Sequence, residues 1–269
     1  MSSTNFLRSF HPQPHARFRL VLFPHAAGAA SFFRQWQHPA LDIHVVQYPG
    51  REDRLSETLP ERLTDLAEDV ALALRRWHDG RPFALFGHSM GALVAFETAR
   101  ALARHKATLP TLLSVSAHEP PALMRPGTLH TQPDELLLAE LQRLAGTQPS
   151  LLDIPEMMAL VLPVLRADYR LIETYGYCAA APLACPILGY WGREDPDIGA
   201  SQMHAWADYT CEILTVTGLS GGHFYLAEHR DTLLSHLNQR LTGTPMPSVK
   251  SKAAARTTTA RTHVTPAES

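Results

Sequence analysis

The stretch that decides the fold is Phe86-Gly87-His88-Ser89-Met90-Gly91, residues 86–91 of the chain. The apolar run at residues 82–86 predicts a short buried strand, and residues 92–102 predict a helix. Glycines two positions before and two positions after Ser89 suit a turn so tight that a Cβ atom there would clash with neighbouring backbone. We therefore expect Ser89 in a strained conformation, with its hydroxyl exposed at the carboxyl edge of a sheet.

This pattern alone also fits an ordinary glycine-softened turn with an incidental serine, so other residues must decide. The predicted helix directs its positive end towards the turn, and the amide of Met90 can face a developing oxyanion. A second turn follows the predicted strand at residues 17–23, where residues 24–31 are mostly small and let the backbone approach a ligand closely. That loop either supplies a second oxyanion-binding amide or is a plain strand-to-helix connection.

The composition is that of a globular chain without special partners. It has 269 residues, of which 45% are apolar and 19% charged, and a formal net charge of −2. We expect one domain with a full core, no nucleic acid or membrane partner, and no signal peptide in residues 1–18. Three cysteines without metal-type spacing, Cys178, Cys185 and Cys211, predict free thiols in a reducing compartment. The sequence thus indicates a cytoplasmic monomer that needs no metal or cofactor.

Strands alternate with helices over most of residues 17–241. The predicted strands are residues 17–23, 42–48, 82–86, 109–117, 186–191 and 211–216, and the flanking helices include residues 61–78 and 226–241. This alternation predicts an α/β fold, with a mostly parallel central sheet covered by helices on both faces. Residues 1–16 are expected to be a loose, flexible lead-in, and residues 242–269, rich in Thr, Ala, Ser and Pro, a disordered tail.

The alternation stops at about residues 123–177, where two predicted helices, residues 133–144 and 155–175, follow each other without a strand. A helical insertion at this point predicts a lid over the site. Its apolar surplus predicts the lining of an acyl chamber, for which the candidates are Met157, Met158, Val161 and Leu162, together with Phe224. Alternatively, the lid residues only dock the two helices onto the core.

Three residues that fit a nucleophile, a base and an acid each follow a predicted strand. They are Ser89, Asp195 and His223, in the chain order of the α/β-hydrolase fold. A serine hydroxyl is a poor nucleophile until an imidazole accepts its proton, and a carboxylate must hold that imidazole in one tautomer. Among 15 histidines, His223 stands out because Gly221 and Gly222 let its loop bend over Ser89.

The acid is the least determined member of this set. Glu194, Asp197 and Glu119 are alternatives to Asp195. A position after the penultimate strand favours Asp195 or Asp197, and proximity to the end of that strand favours Asp195.

Several motifs extend the pattern beyond the turn. They are Phe23-Pro24-His25-Ala26, Ser31-Phe32-Phe33, Tyr48-Pro49-Gly50-Arg51-Glu52-Asp53-Arg54, Gly87-His88-Ser89-Met90-Gly91-Ala92, Leu165-Arg166-Ala167-Asp168-Tyr169 and Gly221-Gly222-His223-Phe224-Tyr225-Leu226. Together, over about residues 18–240, they make the chain resemble the type II thioesterases, the stand-alone editing hydrolases of nonribosomal peptide and polyketide assembly lines.

The resemblance implies roles for individual residues. Ser89, Asp195 and His223 would be the catalytic triad, and the amides of Ala26 and Met90 would form the oxyanion hole. It also implies that the insertion is the lid, and that the substrates are acyl groups on the phosphopantetheine arm of carrier proteins.

The chain departs from the family pattern at two places. The family usually has glycine at the position of Ala27, so a glycine-only backbone angle there would displace the oxyanion loop and lower activity. Basic residues are frequent in the family near the positions of His118 and Glu119, and this departure argues against a carrier-facing role for these positions in this chain.

The favoured function is therefore a serine acyl-thioester hydrolase that removes stalled or aberrant short acyl groups from carrier proteins. A general carboxylesterase or a product-releasing thioesterase is the alternative within the same fold. A catalytically impaired protein that only docks carrier proteins is the alternative from another class.

Overall fold

The computed structural model describes residues 6–145 and 155–243, and its centre is a seven-stranded sheet. The strands are β1 (Leu7–Arg8), β2 (Phe18–Phe23), β3 (Leu41–Val46), β4 (Phe83–His88), β5 (Leu112–Ser116), β6 (Ile187–Gly192) and β7 (Leu214–Leu219). Their order across the sheet is β1-β3-β2-β4-β5-β6-β7, and β1 pairs antiparallel while every other neighbouring pair is parallel. The predicted α/β class with a mostly parallel sheet is confirmed.

Six helices accompany the sheet in the part of the chain that the structure describes. They are α1 (Leu63–Trp77), α2 (Met90–Arg104), α3 (Asp134–Ala145), α4 (Pro155–Glu173), α5 (Ala200–His204) and α6 (Arg230–Thr242). None of them is long and apolar enough to cross a membrane.

Both faces of the sheet are covered. One core cluster packs side chains of α1, α2 and α5 against one face, and a second packs α6 and the short 3₁₀ turn Ala30–Phe33 against the other. All six residues of β2 and of β4 are buried, because a central parallel strand faces helices on both sides. This burial explains why these strands appear in the sequence as continuous apolar runs instead of an alternating pattern.

The amino-terminal segment is more ordered than predicted. Leu7–Arg8 pairs with β3 at the sheet edge, the amide of Gln47 donates to the carbonyl of Phe6 at 2.7 Å, and the Arg54 guanidinium lies 4.0 Å from the Phe6 ring centroid. The prediction of a loose lead-in is therefore wrong for these residues. A two-residue strand is too short for a periodic pattern, and its order comes from the open edge of β3.

The insertion between β5 and β6 contains α3 and α4, and its described residues form no strand, as predicted. The Glu173 carboxylate of α4 accepts hydrogen bonds from the amides of Leu129 (2.8 Å) and His130 (2.9 Å). Arg166 donates to the carbonyl oxygens of His130 and Gln132 at 2.6 and 2.7 Å. Side-chain hydrogen bonds thus tie the insertion together.

The tail predicted for residues 242–269 lies outside the described residues from position 244 onwards, and Gly243 caps α6 with a φ of 72°.

Candidate active site

Ser89 stands between β4 and α2 with a φ of 53° and a ψ of −126°. A Cβ on Gly87 would overlap the carbonyl oxygen of Gly91, and a Cβ on Gly91 would overlap the carbonyl oxygen of Phe23. Both glycines are therefore required by the close approach of backbone to backbone, as the sequence predicts. The amide of Ser89 donates to the carbonyl of Ser116 at 2.8 Å, so the strained residue is fixed by the neighbouring strand.

The loop after β7 brings His223 to Ser89. The distance from His223 Nε2 to Ser89 Oγ is 3.0 Å, and the distance from His223 Nδ1 to Asp195 Oδ2 is 2.7 Å. The approach depends on Gly192 at the end of β6, because a Cβ there would overlap the carbonyl oxygen of Gly222. The structure thus joins the serine, the imidazole and the carboxylate in one hydrogen-bonded chain.

The carboxylate of Asp195 is held on both oxygens. Oδ1 accepts the amides of Asp197 and Ile198 at 3.0 and 3.2 Å, while Oδ2 faces the imidazole of His223. Burial alone would raise the pKa of Asp195, but the hydrogen bond and charge of His223, helped by the two amides, bring this pKa below its ordinary value. Asp195 is therefore ionised at neutral pH and can stabilise a positively charged imidazole.

The three alternative acids have other partners or positions. Asp197 pairs with Arg143 of α3 at 3.0 and 2.5 Å, and Glu194 accepts the amide of Gly221. Glu119 lies in the wall of the cavity next to Ser89. Among the described residues, Asp195 is the carboxylate that hydrogen-bonds to His223.

The two predicted oxyanion amides belong to the residue that follows Ser89 and to a residue that lines the same cavity as Ser89. Met90 begins α2, and Ala26 lies in the wall of the same cavity as Ser89. Neither amide donates a hydrogen bond to any group in residues 6–145 and 155–243. Two unpartnered N–H groups beside the nucleophile can bind a developing negative charge.

The backbone conformation at Ala27 explains why the family usually has glycine at this position. The amide of Gly28 donates to the carbonyl of His25 at 2.9 Å and closes a four-residue turn, in which Ala27 has a φ of 58°. This angle lies in the left-handed α region, which an alanine can adopt at a cost of about 1–2 kcal/mol. The position favours glycine but does not require it.

Two further histidines, His25 and His88, surround the pair formed by Ser89 and His223. Burial, with the nearby charges of His223 and Arg51, lowers the pKa of His25 to about 3. Burial and the neighbouring histidines also bring the pKa of His88 well below its ordinary value. Both rings are neutral at physiological pH, so they add no positive charge next to His223 when it accepts a proton. The sequence motifs include both residues, but nothing in their spacing predicts this role.

A cavity of about 340 Å³ opens above the nucleophile. Its wall contains Ser89, His223, Ala26 and Phe224, with Leu165, Tyr169 and Ile172 contributed by α4 and Leu141 and Leu144 by α3. Apolar side chains from both helices of the insertion therefore line the cavity that contains Ser89 and His223, which suits an acyl group. Among the described residues there is no cluster of three or more metal-ligating side chains.

The prediction of the lid residues needs correction. Met158, Val161 and Leu162 are not among the described residues that line this cavity, and the side chain of Met157 lies outside the described part of the structure. The cavity lies under the later turns of α4, where Leu165, Tyr169 and Ile172 recur at helical spacing. That spacing is present in the sequence, but the denser apolar run before it is the stronger signal. Phe224 lines the cavity as predicted.

The sheet order, the strained serine turn and the chain of serine, histidine and aspartate together define an α/β-hydrolase. The family model of the thioesterase domain matches residues 18–241, and the chain belongs to this thioesterase family.

Two known proteins show how close the similarity is. The chain is 39% identical to Thioesterase PikA5 of Streptomyces venezuelae over 88% of this chain and 85% of that protein. The solved structure of BorB, the type II thioesterase from the borrelidin biosynthetic cluster, superposes with a TM-score of 0.81 at 39% identity, covering 90% of this chain and 99% of that one.

A third comparison is more distant in sequence but equally complete. YbtT, the type II thioesterase from the yersiniabactin pathway, gives a TM-score of 0.79 at 30% identity and covers 89% of this chain and 99% of that one. The protein is therefore a hydrolase that acts on thioester bonds.

Proposed function

We propose that the protein is an editing thioesterase that removes stalled or aberrant short acyl groups from the carrier proteins of a polyketide or nonribosomal peptide assembly line. The observation that carries the proposal is the hydrogen-bonded chain from Ser89 through His223 to Asp195 at the base of a small, partly apolar cavity. The relatives BorB and YbtT, named as type II thioesterases of such pathways, support this substrate class.

Acylation of the serine is the first half of the reaction. His223 Nε2 accepts the proton of Ser89 Oγ as that oxygen attacks the thioester carbonyl. The amides of Ala26 and Met90 donate to the resulting oxyanion. The tetrahedral intermediate collapses when the carbon–sulfur bond breaks, and His223 gives its proton to the departing phosphopantetheine thiol.

Hydrolysis of the acyl-serine is the second half. A water molecule takes the place of the thiol, His223 removes its proton, and the hydroxide attacks the ester carbonyl. As the second tetrahedral intermediate collapses, the bond from the carbonyl carbon to Ser89 Oγ breaks and His223 gives its proton to that oxygen. This step releases the free carboxylic acid and restores Ser89 and neutral His223. Throughout, Asp195 stabilises the positive charge that forms on the imidazole and fixes its orientation.

The lid supplies the basis for selecting short acyl groups. Leu165 and Ile172 of α4 offer non-directional apolar contact, and such contact tolerates varied acyl shapes. Each methylene group that fits contributes about 0.8 kcal/mol, so neighbouring chain lengths differ little until the wall is reached. A carrier protein that docks outside the cavity adds binding energy that positions the carbonyl against Ser89.

The test compares kcat/KM for acetyl, propionyl, butyryl and decanoyl groups, each on a carrier protein and on a short thiol. We expect a shallow rise of about fourfold per methylene among the short chains, poor turnover of decanoyl, and faster turnover on the carrier. Equal rates on both supports, or a steep preference for decanoyl, would instead support a general esterase or a product-releasing enzyme. The cytoplasmic location and the monomeric state stay predictions.

A further inference from the structure

The turn at residues 25–28 is held by a buried ion pair that belongs to two other parts of the chain. Asp168 of α4 accepts the amide of Ala27 at 2.7 Å on Oδ2, and the same oxygen pairs with the guanidinium of Arg51. Arg51 Nε also donates to the carbonyl of Gly28 at 3.0 Å. Both charged side chains are almost fully buried, with exposures of 1% for Asp168 and 4% for Arg51.

The hydrogen bond from Ala27 fixes the one peptide of this turn that can flip. Ala27 is the third residue of the turn and has a φ of 58°, whereas Ala26 is not among the residues with positive φ. This combination defines a type II turn, which favours glycine at the third position. Rotating the central peptide by half a turn would give Ala27 a negative φ and would relieve its Cβ. The carboxylate of Asp168 opposes that rotation, because the flipped peptide would present a carbonyl oxygen to it.

A gain in folding stability does not explain this ion pair. Taking two charges out of water costs several kcal/mol each, and apolar side chains of similar volume often stabilise a core equally well. Asp168 Oδ1 is buried without a hydrogen-bond partner among the described residues, so the pair is not even fully satisfied. Arg51 Nη1 donates to the carbonyl of Pro49 at 2.9 Å, but the other hydrogen bonds of the pair end on the turn at residues 25–28. These contacts point to a role in positioning that turn.

We propose that Asp168, held by Arg51, is a positioning residue that keeps the turn at residues 25–28 in its strained form. It thereby fixes the path of the backbone at Ala26, whose amide is the proposed donor to the oxyanion. Because Asp168 belongs to α4, the oxyanion site is complete only when the lid helix is docked. This inference rests on the proposed hydrolysis at Ser89. It assigns to Arg51 and Asp168 the role of positioning the turn at residues 25–28, whose Ala26 amide would contact the reacting carbonyl.

The experiment measures kcat and KM on a short acyl thioester for the wild type, Asp168→Ala, Ala27→Gly and the double variant. We expect Asp168→Ala to lower kcat by about 10- to 100-fold, below the effect of deleting an oxyanion donor, with KM within about threefold of the wild type. Glycine removes the penalty of the positive φ, so Ala27→Gly should restore kcat by about fivefold in the Asp168→Ala background. Its effect in the wild-type background should be smaller, because Asp168 already holds the turn there.

Glu173→Ala is the matched control on the same helix. It removes another hydrogen-bonded carboxylate of α4, 11% exposed, whose partners Leu129 and His130 lie within the insertion. We expect its kcat to fall by less than about threefold, even if its melting temperature falls as much as that of Asp168→Ala. Equal losses of kcat in the two variants, with no relief by Ala27→Gly, would show that Asp168 only stabilises the helix.

Two further variants, Asp168→Asn and Ser89→Ala, separate loss of folding and loss of the proposed function from loss of positioning. Should Asp168→Ala not fold, Asp168→Asn takes its place, with an expected loss of kcat of about 3- to 10-fold and the same relief by Ala27→Gly. A kcat equal to that of the wild type in the variant measured overturns the positioning role. Turnover by the wild type that disappears in Ser89→Ala supports the proposed function independently of the positioning role. If the wild type itself showed no turnover, the proposed function would be contradicted, and the positioning role with it.

Discussion

The serine turn and the helical insertion, the predicted lid, both line one cavity, but they are built by different means. The turn around Ser89 is fixed by backbone contacts inside the sheet, and the residues of β4 that lead into it are all buried. The lid is held by side-chain hydrogen bonds and keeps large apolar side chains at its surface, since Leu136 of α3 and Leu160 of α4 are each 50% exposed. Backbone contacts therefore fix the conformation of the serine turn, while side chains of the insertion determine which acyl groups fit the cavity.

The largest effect should come from the nucleophile itself. Ser89→Ala removes the attacking oxygen, so kcat should fall by at least about four orders of magnitude. The melting temperature should stay within a few degrees, because Ser89 contributes a partly exposed hydroxyl and its turn is held by backbone contacts. Turnover and thermal unfolding of the same preparation check both statements. Near-normal turnover in this variant would contradict the proposed role of Ser89.

The next variant breaks the backbone contacts of the turn. Gly91→Ala introduces a Cβ that would overlap the carbonyl oxygens of Phe23 and Pro24, which cannot move without disturbing the sheet. We expect a loss of about 3 kcal/mol or more in the free energy of unfolding, or a failure to fold, with activity lost in either case.

Gly176→Ala is its matched control. Gly176 follows α4 and is not among the glycines with positive φ, and a Cβ added there would meet no other atom within 4 Å. Its substitution should change the free energy of unfolding by less than about 0.5 kcal/mol in urea denaturation. Similar losses in both variants would contradict the contrast between the serine turn and the periphery of the lid.

A smaller effect should appear when the lid side of the cavity is changed. Leu165→Ala removes a side chain that is 1% exposed and lines the cavity. We expect about 2–4 kcal/mol of destabilisation and a shift of preference by one or two methylene groups towards longer acyl chains, about fourfold in kcat/KM for each. The serine turn is untouched, so kcat for acetyl groups should change by less than about threefold.

Leu160→Ala on the same helix is the control for that prediction. Its side chain is 50% exposed and is not among the described residues that line the cavity, so stability and chain-length preference should both stay close to the wild type. If Leu160→Ala shifted the preference and Leu165→Ala did not, the earlier turns of α4 would form the acyl wall, as the sequence predicts.

The sequence predicts the region of the serine turn better than it predicts the helical insertion. The strands, the serine turn and the order of Ser89, Asp195 and His223 depend on local backbone chemistry, which leaves glycines and apolar runs at fixed spacing. The wall residues of α4 depend on how that helix docks, and docking is decided by distant partners such as Arg51. The apolar content of Met157, Met158, Val161 and Leu162 was therefore not enough to identify the face of α4 that meets the cavity. The short strand β1 was missed for a similar reason, since its order depends on the edge of β3.

The helix α4 contributes both an acyl-contacting face, through Leu165 and Ile172, and the carboxylate that restrains Ala27. If Asp168 positions the turn as proposed, any ligand that favours the docked helix also favours the proposed oxyanion site, and the two equilibria are linked. Binding energy from an acyl group that fits the wall would then appear in kcat as well as in KM. An acyl group too small to engage the helix would be turned over slowly even at saturation.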